Sequence, residues 1–236
     1  MRRGLGWATV LLALRLVTAD AGAVSGPTER IADNPIVGRF LDQSDTPLHS
    51  YRAVRRLSGA NRRYRASGWI EATTALDPVN GLTYEVVAEG GSAYIRNKVL
   101  RSVLDREVEA HRSGDPGRTA LTADNYEFGE AAPGAGEVRI RIVPRRREPL
   151  LVSGDIVLSP HDAELLRVEG DLARSPSFWT RRVFIVRRYG RMNGVRLPVA
   201  MSSTVNVLIA GDSSFTMCWD YELVNGMPVV PRISCS

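Results

Sequence analysis

The chain has 236 residues, of which 44% are hydrophobic and 24% are charged, and its formal net charge is +5. This length suits one all-β or barrel-like domain of about 200 residues after processing. Its only lysine is Lys98, so nearly all of the positive charge comes from arginine. Many arginines alternate with apolar residues, as Arg139 and Arg141 do with Ile140. This pattern indicates a solvated sheet face and argues against a nucleic-acid partner.

The N-terminus has the layout of a secretory signal peptide. Arg2 and Arg3 precede an apolar run from Leu5 to Val17, and two A-x-A patterns follow between Ala19 and Ala23. The run is shorter than the ~20 apolar residues that span a bilayer. Because Arg15 interrupts it, an ordinary N-terminal tail is the alternative. We expect residues 1–23 to be a signal peptide and residues 24–236 to be a single exported domain, located in the periplasm or otherwise exported.

The pattern of apolar residues predicts a mainly β chain with few helices. Asn34-Pro35 resembles a cap and a first-turn proline that open a short helix reaching about Gln43. Helical spacing of apolar residues predicts one long amphipathic helix from Tyr94 to His111. Alternation and turn signals predict strands at Tyr51–Leu57, Tyr64–Ala75, Leu82–Glu89, Glu137–Val143, Leu150–Leu158, Glu164–Gly170, Arg182–Tyr189, Arg196–Ile209 and Ser214–Leu223.

The last strands alternate most clearly. After the Gly211-Asp212 turn, one face carries the large residues Met217, Trp219 and Tyr221. Because successive side chains on a strand point to opposite faces, these residues define an apolar sheet face that something must cover. The long helix could cover it as a permanent part of the core, or it could be a displaceable lid over a ligand. The sequence leaves both possibilities open.

The two cysteines of the chain, Cys218 and Cys235, lie on the last clear strand and in the C-terminal tail. In an oxidising compartment they could form a disulfide that pins the tail beside the strand. The alternative is that Cys218 is a half-buried strand residue and that Cys235 is a free thiol.

The sequence shows no motif that indicates catalysis or metal binding. The three histidines His49, His111 and His161 are far apart and lack metal-ligand spacing. The Gly211-Asp212-Ser213-Ser214 turn lacks the second glycine of a nucleophile elbow. We therefore expect no enzymatic activity, no catalytic residues, no cofactor and no metal.

A series of short motifs resembles a known family. The segment from Gly154 to Gly170 has the form strand, Pro/Asp turn, and strand ending in Glu-Gly. It is followed by the segments Ser175–Thr180, Val183–Tyr189 and Asn193–Pro198, the last reading Asn-Gly-Val-Arg-Leu-Pro, and then by a long alternating strand. In this order the motifs resemble the periplasmic outer-membrane lipoprotein-sorting (LolA-like) proteins.

The resemblance implies a strongly curved antiparallel sheet, an unclosed barrel, with helices across its concave face. It also implies a carrier that binds acyl chains of lipids or lipoproteins and that could pass them to a membrane protein. From strand phase we predict a cavity wall and a lid that carries Leu100 and Leu104. The predicted wall consists of Leu166, Val168, Phe184, Val186, Val205, Val207, Met217, Trp219 and Tyr221.

The principal alternative is an envelope protein-interaction or sensor module. It would use the same fold with a filled core.

Overall fold

The computed structural model describes residues 34–113, 119–148, 150–174, 180–207 and 211–230. Helix α1 (Pro35–Leu41) precedes three strands, and a second helical segment follows them. This segment, residues 93–113, is called the lid below; it comprises α2 (Ala93–Ile95), a π-helical turn (Arg96–Leu100) and α3 (Arg101–Ser113). The strands are β1 (Tyr51–Asn61), β2 (Ala66–Asp77), β3 (Gly81–Gly91), β4 (Tyr126–Pro133), β5 (Val138–Pro144), β6 (Val152–Leu158), β7 (Leu165–Leu172), β8 (Thr180–Met192), β9 (Val195–Val207), β10 (Gly211–Val224) and β11 (Met227–Pro228).

The strands form a single antiparallel sheet in the order β3-β2-β1-β10-β9-β8-β7-β6-β5-β4, and the short β11 pairs with β10. The sheet is open because its end strands, β3 and β4, do not pair with each other. The predicted mainly β fold with an unclosed antiparallel sheet is confirmed. Among the described residues, no helix combines the length and the apolar character that crossing a membrane would require.

Both helical segments cover the same face of the sheet, which we call the inner face. Residues directly opposite each other in paired strands share a face, so the pairing register identifies the inner-face residues. Helix α1 buries Ile36, Val37 and Phe40 against β5–β8. The lid contacts β1, β2 and β3, and its Ile95, Leu100 and Leu104 belong to an apolar cluster that also holds residues of β9 and β10. The inner face therefore carries two apolar clusters, one under each helical segment.

The opposite face, which we call the outer face, carries paired charges. Arg167 forms two hydrogen bonds with Glu137, of 2.8 and 2.9 Å, and a third with Glu169. Arg139 also pairs with Glu169. The hydrogen bonds from Arg167 lower the pKa of Glu137. The predicted solvated, arginine-rich face is thus present as a network of ion pairs.

Two glycines allow β6 and β7 to approach each other closely. Gly154 lies directly opposite Gly170, and Gly170 has a φ of 154°. A Cβ atom added at Gly154 would lie 2.0 Å from the carbonyl oxygen of Glu169. Both glycines belong to the motif segment that carries the family resemblance, and their role in this chain is steric.

We expect Gly154→Ala to lower the free energy of unfolding by more than about 2 kcal/mol, because the clash involves backbone atoms that cannot rotate away. Urea denaturation measures this change. Gly38→Ala is the matched control, since a Cβ at this helical position meets nothing within 4 Å and should stabilise by about 0.5–1 kcal/mol. Equal stability of the two variants would contradict the steric explanation.

Candidate ligand site on the inner face

The structure brings five of the predicted site residues together beneath the lid. Met217, Trp219 and Tyr221 are buried on the inner face of β10, and Leu100 and Leu104 of the lid belong to the same apolar cluster. Tyr221 donates a hydrogen bond to the carbonyl of Pro198 at 3.1 Å, and burial raises its pKa. This cluster, with its aromatic floor, is the candidate site, although the ligand-binding role of its residues stays a prediction.

Other predicted wall residues lie nearer to α1. Val168 is buried in the α1 cluster, and Val205 is half-buried against that cluster. Leu166 is half-buried beside a register shift in the pairing of β6 with β7. The side chain of Val207 lies outside the described residues. The predicted wall is thus divided between the two apolar clusters.

The prediction of which β8 residues face inward is wrong. Val183 and Ile185 are buried on the inner face, whereas Phe184 is 39% exposed. Val186 has the same phase as Phe184, so both point to the outer face. Arg187, which the sequence pattern placed on the outer face, instead lies opposite Met201 on the inner face. The reason is that Val183 to Val186 form an unbroken apolar run. Without alternating polar residues, the sequence does not show which of these side chains face inward.

A buried arginine, which the sequence analysis did not identify, lies at the centre of the lid cluster. Arg55 of β1 is 1% exposed, and its guanidinium lies 4.8 Å from the ring centroid of Trp219. Its Nη2 atom lies 2.7 Å from Oε2 of Glu107 in the lid and 2.9 Å from the sulfur of Met217. The sequence did contain a signal, because Arg55 has the same phase as Ala53 and Leu57, which face inward.

The environment of Arg55 satisfies its charge only in part. Its Nε atom makes no hydrogen bond, and Oε2 of Glu107 approaches the guanidinium without hydrogen-bond geometry. The Glu107 side chain is 39% exposed. A buried cation whose carboxylate partner is only half covered contributes less stability than a well-packed apolar residue could. The Arg55–Glu107 contact therefore connects the lid to the sheet through a buried ion pair that lacks hydrogen-bond geometry.

Two residues of β3, Tyr84 and Glu89, make further polar contacts with the lid. The Tyr84 hydroxyl donates a 2.5 Å hydrogen bond to Oδ1 of Asp105, and Glu89 pairs with Arg96 and Arg101. The pKa of Tyr84 is raised to about 12, mainly by burial and secondly by the hydrogen bond with Asp105. The lid is thus held by a narrow apolar stripe together with polar contacts at its margins.

The inner face is closely packed in this arrangement. A cavity of about 30 Å³ lies beside the α1 cluster and is lined by residues that include Tyr126, Val168, Arg187 and Tyr189. A larger open groove of about 430 Å³ is lined by Phe184 and Val205 together with polar residues that include Arg62, Arg182 and Asp212. Of these two spaces, the one beside the α1 cluster is too small for an acyl chain.

The described residues contain no cluster of His, Cys, Asp or Glu that could hold a metal ion. Cys218 lies on β10 in the outer-face phase, opposite Arg56. Cys235 and the predicted signal peptide lie outside the described residues. The pairing of the two cysteines and the export of the chain therefore stay predictions.

Comparison with known proteins adds little to these observations. No family model matches the sequence, and no curated protein matches it significantly. The structure is similar to that of a LolA superfamily protein from Nitrosomonas europaea, with a TM-score of 0.37 and 9% identity, over 80% of this chain and 91% of that chain. A similarity this low does not support a conclusion about function. The function is therefore inferred from the residues of the chain itself.

We expect Glu107→Ala to lower the free energy of unfolding by about 1–3 kcal/mol, because it leaves the buried Arg55 cation without a carboxylate. Glu71→Ala is the matched control: Glu71 lies 2.7 Å from Arg56, an exposed arginine next to Arg55 in sequence. Removing this surface partner should cost less than about 1 kcal/mol. Chemical denaturation compares the two variants, and equal losses would show that the burial of Arg55 has no energetic consequence.

We also expect the lid to weaken in alkali. Because the pKa of Tyr84 is raised to about 12, the stabilisation linked to its proton is complete below pH 10, where unfolded tyrosine ionises. It is lost as the pH rises from about 10 to about 12. Denaturation curves at pH 9 and pH 11 should show a larger loss for the wild type than for Tyr84→Phe. A loss of the same size in both proteins would rule out this contribution of Tyr84.

Proposed function

We propose that this chain is an exported, non-catalytic binder or carrier of acyl chains of lipids or lipoproteins, which it holds on the inner face beneath the lid. The structure then corresponds to the closed, unloaded state. Binding requires the lid to move and to expose an apolar surface that includes Leu57, Ile70, Met217, Trp219 and Tyr221.

The observation that carries this proposal is the buried, partly satisfied Arg55 beneath the lid. If the lid were only part of a permanent core, an apolar residue would stabilise this position better. Because Arg55 of the sheet is paired with Glu107 of the lid, one of the contacts that hold the lid closed is an ion pair that opening would break. When the lid lifts, Glu107 becomes hydrated, and the guanidinium remains over Trp219 at the edge of the exposed surface.

The apolar contacts of the lid are few enough for a ligand to replace. The lid buries Ile95, Leu100 and Leu104, and burial of one such side chain contributes about 1.5–3 kcal/mol. An acyl chain gains about 0.8 kcal/mol for each methylene that it buries. Roughly twelve buried methylenes would therefore outweigh all three side chains. Acyl binding could thus offset the loss of lid packing.

The filled inner face favours a second candidate, a protein-interaction or sensor module of the envelope. In that case the lid stays closed and a partner, which could be a membrane protein, binds elsewhere on the chain. The specific observation in its favour is the burial of Leu57, Leu100 and Leu104, each at most 1% exposed, in the cluster beneath the lid. The two candidates differ in whether the lid must open.

We expect Glu107→Ala to bind a fluorescent long-chain acyl probe about ten-fold more tightly than the wild type, because loss of about 1.4 kcal/mol from the closed state shifts the equilibrium toward the open state. Glu71→Ala, which changes an exposed pair of the same length, should bind like the wild type. Fluorescence titration gives the affinities. Mass spectrometry of organic extracts should also find lipid in the natively purified protein.

If neither the wild type nor Glu107→Ala binds the probe saturably, and the extracts contain no lipid, the carrier function is excluded and the interaction module is favoured. If Glu107→Ala and Glu71→Ala change the affinity equally, the lid contact is not what controls access.

A further inference from the structure

A second arginine lies on the inner face, in a row of residues that runs across the sheet. The pairing register places one residue from each of eight adjacent strands directly opposite the next, and we call these residues the central row. Apart from Arg187, each of them is apolar. The central row consists of Ile140, Ile156, Val168, Arg187, Met201, Met217, Leu57 and Ile70.

Unlike Arg55, Arg187 has no carboxylate partner among the described residues. Its one hydrogen bond to a described group is a weak contact of 3.8 Å from Nη2 to the sulfur of Met201. The side chain is half-buried and lines the 30 Å³ cavity together with Tyr126 and Tyr189. A guanidinium has five N–H donors in a planar fork that matches a carboxylate or a phosphate. Most of this donor capacity is therefore available to a ligand.

The central row also connects Arg187 to the site beneath the lid. From Arg187 it passes through Met201 and Met217 to Leu57 and Ile70, which lie under the lid. Adjacent strands lie ~4.8 Å apart, so these four steps cover roughly 19 Å. Methionine side chains are flexible and suit irregular apolar ligands. The row thus joins a cation at one end to an apolar track at the other.

We infer that the ligand of the inner face is an anionic amphiphile, with its carboxylate or phosphate head group on Arg187 and its acyl chain along Met201 and Met217 toward the lid. This inference rests on the proposed function and specifies the class of lipid. It explains why the one cation of the central row lies between Val168 of the α1 cluster and Met201 beside the lid cluster, where its half-buried side chain could hold a head group in contact with water.

The test compares a fluorescent long-chain fatty acid with its methyl ester, which has the same chain and no charge. The wild type should bind the acid about ten-fold more tightly than the ester, because the charge-assisted hydrogen bonds are made only with the carboxylate. Arg187→Met should remove this difference, with the binding of the acid weakened to about that of the ester. Arg188→Met is the matched control, since Arg188 is the exposed neighbour with outer-face phase, and it should preserve the difference.

The outcomes separate this inference from the proposed function. If the wild type binds the acid and the ester equally, or if Arg187→Met keeps the difference, the head-group site is wrong while acyl binding stands. If neither probe binds, both proposals fail. If inorganic phosphate alone displaces the fatty acid at low concentration, Arg187 belongs to a site for free anions. Should Arg187→Met fail to fold in a thermal melt, Arg187→Gln provides the same comparison with a polar side chain.

Discussion

The structure depends on one constraint: a single-layer sheet with one apolar face must have that face covered. This chain covers it with two separate helical segments. Helix α1 is fixed to the β6–β7 loop by hydrogen bonds from Arg39 to the carbonyls of Pro160 and His161 and from Gln43 to that of Asp162. The lid is held instead by the burial of Ile95, Leu100 and Leu104 and by polar contacts with β1 and β3. The two covers are therefore unequal, and the lid is the one suited to movement.

The two arginines of the inner face, Arg55 and Arg187, also differ from each other. An apolar row that contains an arginine is a local conflict between burial and solvation, and such conflicts in a folded protein tend to mark functional positions. Arg55 resolves the conflict in part within the protein, through Glu107 and the ring of Trp219. Arg187 does not, because Met201 supplies only a weak acceptor. One arginine is thus suited to holding the covering helix, and the other to receiving a charge from outside.

Sequence alternation was sufficient for most of the fold and for part of the site. It identified β10 with Met217 and Trp219 because large and polar residues alternate there without interruption. It failed at β4, where a register shift after Phe128 and the small residues that follow weaken the pattern. It also failed at β8, where four consecutive apolar residues carry no phase. Arg55 and Arg187 were missed for a further reason: in an arginine-rich chain, residue type alone does not show which arginines face inward.

The position of β10 has a consequence for how the chain folds. It is the last long strand in sequence, yet it lies between β1 and β9 and joins the first three strands to the rest of the sheet. A chain synthesised from its N-terminus can form the β1–β3 meander early, but the aromatic floor for the lid is missing until β10 emerges. Such pairing between distant segments slows folding and leaves apolar surface exposed in the meantime. The lid helix should therefore be among the last elements to dock, and the unfinished protein should be the form most in need of a chaperone.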